Sequence, residues 1–285
     1  MDSFLNWWQR LPEGLDPVIF QVGSIRLQYY GLMYILAFIS TYFLASYRNK
    51  TEPDFNYPNS FHTDILTAAF IGVLIGGRLG YVLFYNMSYY LDHPLQIIMP
   101  FEFNPFRFVG ISGMSYHGGL MGVLVACYLF CKKRGENFWH LADLYGPIIP
   151  LGYTFGRLGN FINGELYGRV TESAIGMYFP SAPTVALRHP SQLYEAVFEG
   201  LFCFFLMWQL RKMKKPVGAM ASVYLVSYGS VRFFIEFFRE PDSHLGFVFL
   251  QFSMGQVLCL VMIATGAGLF VYLRGRSLKK VGSEK

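Results

Sequence analysis

The sequence predicts an all-α polytopic membrane protein with about seven transmembrane helices. Of the 285 residues, 53% are hydrophobic and only 14% are charged, and the mean hydropathy is positive. This composition is too apolar for an ordinary soluble domain. A bilayer core of about 30 Å needs about 20 apolar residues per helix, and windows of this kind recur along the chain. We therefore expect a single integral membrane domain over residues 1–285.

Seven apolar windows carry this prediction. They are residues 27–47, 65–85, 114–131, 141–161, 191–210, 218–238 and 249–272. The third window is short and glycine-rich, and Pro147 and Pro150 interrupt the fourth. Because proline removes a helical hydrogen bond and clashes with the preceding turn, we expect the fourth helix to be kinked or partly unwound. Such backbone is tolerated where protein rather than lipid surrounds it.

Basic residues in alternate connections predict the orientation. They follow windows one, three, five and seven: Arg48 and Lys50, then Lys132, Lys133 and Arg134, then Arg211, Lys212, Lys214 and Lys215, and finally Arg274, Arg276, Lys279 and Lys280. Cytoplasmic loops retain lysine and arginine. The N-terminus is therefore predicted outside and the C-terminus in the cytoplasm. The net charge of +5 reflects this asymmetry, and we expect no nucleic-acid partner.

The basic residues outside this cytoplasmic set are all arginines. They are Arg10, Arg26, Arg78, Arg107, Arg157, Arg169, Arg188, Arg232 and Arg239, whereas all nine lysines are assigned to the cytoplasmic side. A planar guanidinium group binds phosphate or carboxylate in a bidentate manner, so the bias favours an anionic ligand on the outer side. The alternative is structural pairing with buried carboxylates. Gln192, Glu195 and Glu199 form a polar stripe suited to that role.

Small residues predict how the helices pack. Glycines recur every four residues at Gly72, Gly76 and Gly80, at Gly118 and Gly122, and at Gly152 and Gly156. This spacing is typical of close helix contacts. The four cysteines lie inside apolar runs, so we interpret them as buried small side chains. Because no His, Cys and Asp arrangement has metal-ligand spacing, no metal and no cofactor is expected.

The densest polar run, Gly156 to Arg169, leaves the outer end of the fourth window. It reads G-R-L-G-N-F-I-N-G-E-L-Y-G-R and places Arg157, Asn160, Asn163, Glu165 and Arg169 among four glycines. Glycines let the backbone approach a ligand closely while fixed polar groups surround it. We predict a candidate site here and a small extracytoplasmic head formed by residues 162–190.

This run resembles the signature of the prolipoprotein diacylglyceryl transferase family. The resemblance continues at D-P-V-I-F (16–20), Y-G-L-M-Y (30–34), G-G-R-L-G-Y-V-L-F-Y-N (76–86), G-M-S-Y-H-G-G (113–119), R-H-P-S-Q-L-Y-E (188–195), E-F-F-R-E-P-D (236–242) and S-M-G-Q (253–256). It implies a multi-pass enzyme of the cell (inner) membrane with its active site toward the outer face. The implied partners are phosphatidylglycerol, a prolipoprotein signal peptide with a lipobox cysteine, and membrane lipids.

The family reaction implies attack of the lipobox thiol on the glyceryl C3 carbon of phosphatidylglycerol, which yields a thioether and glycerol 1-phosphate. A thiol with a pKa of about 8.5 must lose its proton to become a competent nucleophile. His117 is the candidate base, because histidine titrates near neutrality and the resemblance marks this position as essential. His189 is the rival, but Pro190 and Ser191 look like a helix start, which gives His189 a capping explanation.

Arg157 and Arg232 are the candidate phosphate ligands, and the resemblance assigns Arg157 to the lipid head group. Tyr228, Arg232 and Glu236 are four residues apart and share a helix face, and Arg239 follows three residues later. We expect Glu236 to orient guanidinium groups that the phosphate also contacts. An Arg–Glu–Arg ladder could also serve only to stabilise the bundle.

Four further positions complete the predicted site. Asn160 and Glu165 are expected to fix the polar loop and to bind the glycerol hydroxyls, with Gly168 in the same substrate-binding set. Tyr30 is the family-matched aromatic residue near the reaction site.

The sequence is also compatible with three other functions. G-I-S-G at residues 110–113 is the pattern around the serine of intramembrane proteases, but only five residues separate Ser112 from His117, whereas such proteases take the histidine from a separate helix. Polar residues in apolar spans would also suit a transporter of an anionic substrate, although no matched halves are evident. A purely structural membrane subunit would leave the arginine bias unexplained.

Overall fold

The computed structural model describes residues 2–23, 25–99, 101–103, 106–108, 113–240, 247–249 and 252–283. The helices are α1 (Asp2–Arg10), α2 (Tyr29–Thr51), α3 (Asn59–Tyr85), α4 (Met87–Asp92), α5 (Tyr116–Arg134), α6 (Phe138–Tyr145), α7 (Ile149–Ile162), α8 (Ser191–Leu210), α9 (Ala219–Ile235) and α10 (Met254–Ser283). Short 3-10 helices cover Leu11–Gly14 and Pro94–Ile97. The chain divides into two compact units, Met1–Glu52 with Trp139–Lys285 and Pro53–Phe138.

Three two-stranded antiparallel hairpins interrupt the helical pattern in the described residues. They are β1 (Val18–Val22) with β2 (Ile25–Gln28), β3 (Phe101–Phe103) with β4 (Phe106–Phe108), and β5 (Phe247–Phe249) with β6 (Phe252–Ser253). Helices α2 and α10 begin directly after β2 and β6. The predicted all-α class is correct for the bulk of the chain, but the hairpins were not predicted.

Helices occupy all seven predicted windows. Four of them, α2, α3, α8 and α10, are long and apolar enough to cross a bilayer on length and composition alone. Helix α5 has 19 residues and α9 has 17. An α-helical membrane protein is therefore confirmed, whereas the number of seven spans and the orientation stay predictions.

The expected interruption of the fourth window is present. Helix α6 ends at Tyr145 and α7 begins at Ile149, with Pro150 in its first turn, where no backbone N–H is needed. The buried Arg48 donates to the backbone oxygens of Asp143, at 2.8 Å, and Leu144. Carbonyl groups freed at the end of α6 are thereby satisfied inside the protein.

A charged cluster forms beyond the C-terminal end of α2. Glu52 accepts hydrogen bonds from Arg48, at 2.6 and 2.9 Å, and from Nε of Arg211 at 3.0 Å. The guanidinium of Arg211 also stacks on the ring of Trp208. Burial by itself would raise the pKa of Glu52, but the hydrogen bonds and charges of Arg48, followed by those of Arg211, outweigh it and hold that pKa below its ordinary value.

In the first unit, α2 packs on α7, α7 packs on α8, and α9 packs on α10. Residues Glu195–Phe202 of α8 form a π-helical segment, which is rare and is found mostly at functional sites. Residues 163–190 contain no helix and surround a small core of Phe161, Met177 and Phe179. Helix α1 packs on this region, where Nε1 of Trp8 donates to the carbonyl oxygen of Ile175 at 3.1 Å.

In the second unit, α3 and α5 interlock through glycines. A Cβ atom at Gly122 would overlap the carbonyl oxygen of Gly72, and one at Gly118 would overlap that of Gly76. Close packing is therefore confirmed for these helices. The prediction of close packing is wrong for Gly156, since a Cβ atom there would meet nothing within 4 Å. A four-residue spacing identifies glycines that share a helix face, but it does not show whether another helix packs against that face.

The four cysteines are free thiols, and the predicted burial is confirmed for three of them. Cys131, Cys203 and Cys259 are buried and Cys127 is half-buried.

Candidate active site

Arg157 on α7 and Arg232 on α9 are joined through Glu195 on α8. Nε of Arg157 lies 2.8 Å from Oε2 of Glu195, and Nη1 of Arg232 lies 3.3 Å from Oε1. Glu195 has no exposed surface, and the two arginine side chains are 15% and 12% exposed. The structure therefore brings together two arginines that the sequence could only place on separate helices.

Glu199 and Tyr153 extend this cluster. The carboxylate of Glu199, also without exposed surface, lies 3.3 Å from Nη1 of Arg232. The hydroxyl of Tyr153 donates to Glu195 at 3.0 Å and to Glu199 at 2.5 Å, and the guanidinium of Arg157 lies over the Tyr153 ring. The predicted pairing of these glutamates with arginines is confirmed. Tyr153 was missed, although its position four residues before Arg157 on one helix was a usable signal.

The predicted face of α9 is confirmed. Nη2 of Arg232 donates to Oε2 of the buried Glu236 at 2.8 Å, and Oε1 of Glu236 accepts from Oγ of Ser253 at 3.0 Å. The ring of Tyr228 packs edge-on against Tyr153, with centroids 5.7 Å apart. Glu236 is thus held by Ser253 of β6 while it orients the guanidinium of Arg232.

The cluster contains more carboxylates than guanidinium groups. Glu195, Glu199 and Glu236 face Arg157 and Arg232. Buried charges of this kind are stable only when their hydrogen bonds are satisfied. Within the part of the chain that the structure describes, Nε of Arg232 makes no hydrogen bond. This N–H group can therefore bind an additional acceptor.

Asn160 connects the cluster to the polar loop. Its Oδ1 accepts from Nη1 of Arg157 at 3.2 Å, and its Nδ2 donates to Oε1 of Glu165 at 2.8 Å. Leu166, the next residue, has a φ of 58°, which is unusual for a residue with a side chain. The buried Gln192 and Ser191 hold this turn by donating to the backbone oxygens of Glu165, at 2.6 Å, and Leu166, at 3.0 Å.

Tyr30 lies against α7. A Cβ atom at Gly159 would come within 2.7 Å of the Tyr30 ring, so this glycine permits the contact. The Tyr30 hydroxyl lies 3.2 Å from that of Tyr34, which is 48% exposed. The hydroxyl pair therefore lies on a part of α2 where the Tyr34 side chain is partly accessible.

Gly168 and Arg239 lie in the backbone junction between residues 163–190 and the end of α9. A side chain at Gly168 would overlap the carbonyl oxygen of Phe238 and crowd His189. The carbonyl of Arg239 accepts from Nε of Arg169 at 2.7 Å. The Arg239 guanidinium makes no hydrogen bond or ion pair with the residues described, which leaves it free for an anion.

His117 lies in the second unit, at the second position of α5. Ser115 caps this helix by accepting from the backbone N–H of Gly118. The imidazole is exposed and packs edge-on against Tyr116, and neither ring nitrogen hydrogen-bonds to a described residue. Both nitrogens are therefore accessible to a ligand. Ser112, the nucleophile of the protease alternative, lies outside the described residues.

His189 differs from its expected role. Helix α8 does begin at Ser191, but its N-cap is Pro190 and no side chain caps it. The Nδ1 atom of His189 instead lies 3.1 Å from the hydroxyl of Tyr194. Burial lowers the pKa of His189 below its ordinary value, so this imidazole is a weaker base than an exposed one.

Among the residues described, no group of three or more His, Cys, Asp or Glu side chains is arranged to hold a metal ion.

Comparison with known proteins identifies the family. The sequence model of prolipoprotein diacylglyceryl transferase matches residues 17–272. The chain is 55% identical over 279 residues to the phosphatidylglycerol–prolipoprotein diacylglyceryl transferase of Chlorobaculum tepidum, a match that covers 97% of this chain and 96% of that relative. Enzymes of the same name from Idiomarina loihiensis and Geobacter sulfurreducens are 45% and 44% identical, over 93% and 94% of this chain and 95% and 98% of theirs. The chain therefore belongs to the prolipoprotein diacylglyceryl transferase family.

Proposed function

We propose that this protein transfers the diacylglyceryl group of phosphatidylglycerol to the lipobox cysteine of a prolipoprotein. The thiolate sulfur forms a bond to glyceryl C3 as the bond from C3 to the phosphate oxygen breaks, and the thiol proton passes to a base. The products are a thioether and glycerol 1-phosphate. Membership of the family and the names of its members support the reaction, and the arginine cluster supports the way in which it is catalysed.

The charge change of this reaction explains the need for arginine. The phosphodiester carries one negative charge, and the departing phosphate monoester gains another as the C3–O bond breaks. Donors fixed around that oxygen stabilise the transition state more than the bound lipid. The observation that carries this proposal is the convergence of Arg157 and Arg232 on Glu195.

The glutamates do not preclude anion binding. Glu195 and Glu236 each engage part of a guanidinium fork and so fix its plane. Arg232 retains an N–H without a described acceptor, and Arg239 retains its whole guanidinium. We propose that the phosphate binds these remaining donors together with Arg157, while the carboxylates hold the forks in position.

The remaining residues receive complementary roles. His117 accepts the thiol proton, and its exposed imidazole, which has no hydrogen-bond partner among the described residues, suits that step. Asn160, Glu165 and Gly168 shape the loop that binds the glycerol of the head group. Tyr228 and Tyr30 flank the reacting lipid.

We further propose the finer topology that the sequence predicts. Seven spans cross the cell (inner) membrane, with the N-terminus outside, the C-terminus cytoplasmic and the active site toward the outer face. The whole chain is one integral membrane domain, and residues 162–190 form its extracytoplasmic head. Because both substrates are already membrane-bound, holding them in one site supplies much of the rate by proximity.

The test is reconstitution of the purified protein in liposomes with phosphatidylglycerol and a lipobox peptide. Thioether formation and glycerol phosphate release should be stoichiometric. Arg157→Lys and Arg232→Lys should each lower kcat about 100-fold, because a single ammonium cannot replace a bidentate fork. Arg211→Lys is the matched control. Arg211 is also a buried arginine paired with a glutamate, but it does not belong to the cluster of Arg157 and Arg232.

Two histidine variants separate the candidate bases. His117→Gln should lower kcat at pH 7 by about 100-fold, as expected for loss of a general base, whereas His189→Gln should retain the wild-type kcat. Product formation without glycerol phosphate release, or full activity of both lysine variants, would contradict the proposal.

A further inference from the structure

The hairpin of β1 and β2 has one apolar face. Phe20 pairs with Leu27 across the hairpin, and Gln21 pairs with Arg26. Paired residues lie on the same side of a two-stranded sheet, and residues two apart in a strand share a face. Phe20, Val22 and Leu27 therefore lie on one side, and Gln21 and Arg26 on the other.

This apolar face is exposed in the part of the chain that the structure describes. Phe20 is 56% exposed, Val22 67% and Leu27 42%. The polar side chains of Gln21 and Arg26 are exposed as well. An isolated two-stranded hairpin is only marginally stable in water, so a hairpin with an exposed apolar face requires a further apolar surface against it.

Chain continuity identifies that surface. Helix α2, one of the four helices able to cross a bilayer, begins at Tyr29, directly after β2. The backbone N–H of Tyr29 donates to the carbonyl of Pro17 at 3.0 Å, which fastens the base of the hairpin to the start of the helix. The end of a membrane-spanning helix lies at the boundary between lipid head groups and acyl chains, so the hairpin lies at that boundary too.

We propose that the apolar face of this hairpin inserts into the lipid surface at which α2 begins, with Phe20, Val22 and Leu27 among the acyl chains and Gln21 and Arg26 toward the head groups. An amphipathic surface element of this kind binds through its buried apolar area and its basic residues. The inference goes beyond the transferase reaction and does not depend on it. Its consequence for the site is that the depth of Tyr30, two residues beyond Gln28, is fixed relative to the lipid head groups.

The test places a nitroxide label at one position at a time in liposomes, by Phe20→Cys, Val22→Cys, Gln21→Cys and Arg26→Cys in the full chain with its four native cysteines changed to alanine. Labels at positions 20 and 22 should collide several-fold more with oxygen, which partitions into lipid, than with a water-soluble nickel chelate. Labels at 21 and 26 are the matched controls and should show the reverse. Equal exposure of all four to the nickel chelate would overturn the proposal. Shielding of 20 and 22 from both reagents would overturn it as well, since protein or a second copy would then cover the face.

A second measurement needs no cysteine replacement. Phe20→Trp in the native chain should add fluorescence that lipids brominated near the head group quench, and Gln21→Trp should add fluorescence that they quench less. Equal quenching at the two positions would contradict insertion of one face. Because neither readout involves catalysis, failure of the transferase assay would leave this result interpretable.

Discussion

The guanidinium Nε of Arg157 lies 2.8 Å from the carboxylate of Glu195, a side chain without exposed surface. The same carboxylate reaches Arg232 on another helix. Among the described residues, Arg157 forms an ion pair with Glu195 alone, whereas Arg232 also pairs with Glu199 and Glu236. This asymmetry leads to the first prediction.

Glu195→Gln should destabilise the protein by about 3 kcal/mol, since it leaves a largely buried guanidinium without a charged partner. Glu199→Gln should cost only about 1 kcal/mol, because Arg232 keeps two carboxylates. Thermal unfolding in detergent would compare the two variants. Equal losses of stability in the two variants would contradict a special role of Glu195 in stabilising both arginines.

The second prediction concerns the glycine contact of α3 and α5. Gly122→Ala should destabilise the protein by about 2 kcal/mol, because the new methyl group overlaps the backbone of α3. Gly268→Ala in α10 is the matched control, since a Cβ there meets nothing within 4 Å. This control should be neutral or more stable by up to about 1 kcal/mol. Denaturation of both variants in the same detergent checks the difference.

Backbone strain at Leu166 gives a third prediction. Glycine adopts a positive φ freely, whereas any side chain disfavours it. Leu166→Gly should therefore be more stable than Leu166→Ala by about 1 kcal/mol, a comparison that cancels the lost leucine side chain. Unfolding midpoints of the pair measure the effect. A less stable glycine variant would indicate that the loop does not hold this conformation in solution.

The fourth prediction is the acid sensitivity of the Glu52 cluster. The pKa of Glu52 is held below its ordinary value, so the folded state binds this proton less readily than the unfolded chain. Its stabilising contribution is then fully present above the ordinary pKa of about 4.3 and is lost as the pH falls through the lower folded value. Melting temperatures of the wild type should fall across that acidic window.

Glu52→Gln tests the origin of that fall. It should lower stability at pH 7 by about 3 kcal/mol, since two buried arginines lose their carboxylate, and it should show a smaller further loss on acidification. If the melting temperature of this variant falls on acidification as much as that of the wild type, other carboxylates cause the fall.

Relationships within one element were predictable from the sequence. The 3.6-residue period places Arg232 and Glu236 on one face at the end of α9, and each of the seven apolar windows contains helix, although α6 and α7 share the fourth. Relationships between elements were harder. Tyr153 donates to two glutamates more than 40 positions away in the chain, a contact that no periodicity contains. The reaction was inferred from the resemblance to the family. The comparisons with known proteins do not support a protease or a transporter.

Two expectations failed for local reasons. Gly156 shares the spacing of the packed glycines, yet a Cβ atom at this position would meet nothing within 4 Å. His189 precedes a real helix start, but its side chain turns to Tyr194 instead of capping. The hairpins were not predicted because strands of two to five residues are too short to show a clear alternation of apolar and polar side chains.

The glycine contact in the second unit also fixes the backbone position of His117. The residue that follows it, Gly118, rests on the main chain of α3 at Gly76 and Gly80, with no side chain between the two backbones. Side chains change rotamer within nanoseconds, whereas main chains in direct contact have no such freedom. The Cα of this histidine should consequently keep its position relative to α3 when the acyl chains of the surrounding lipids are lengthened or unsaturated, so that a change of lipid composition would not displace this proposed base from the helix that supports it.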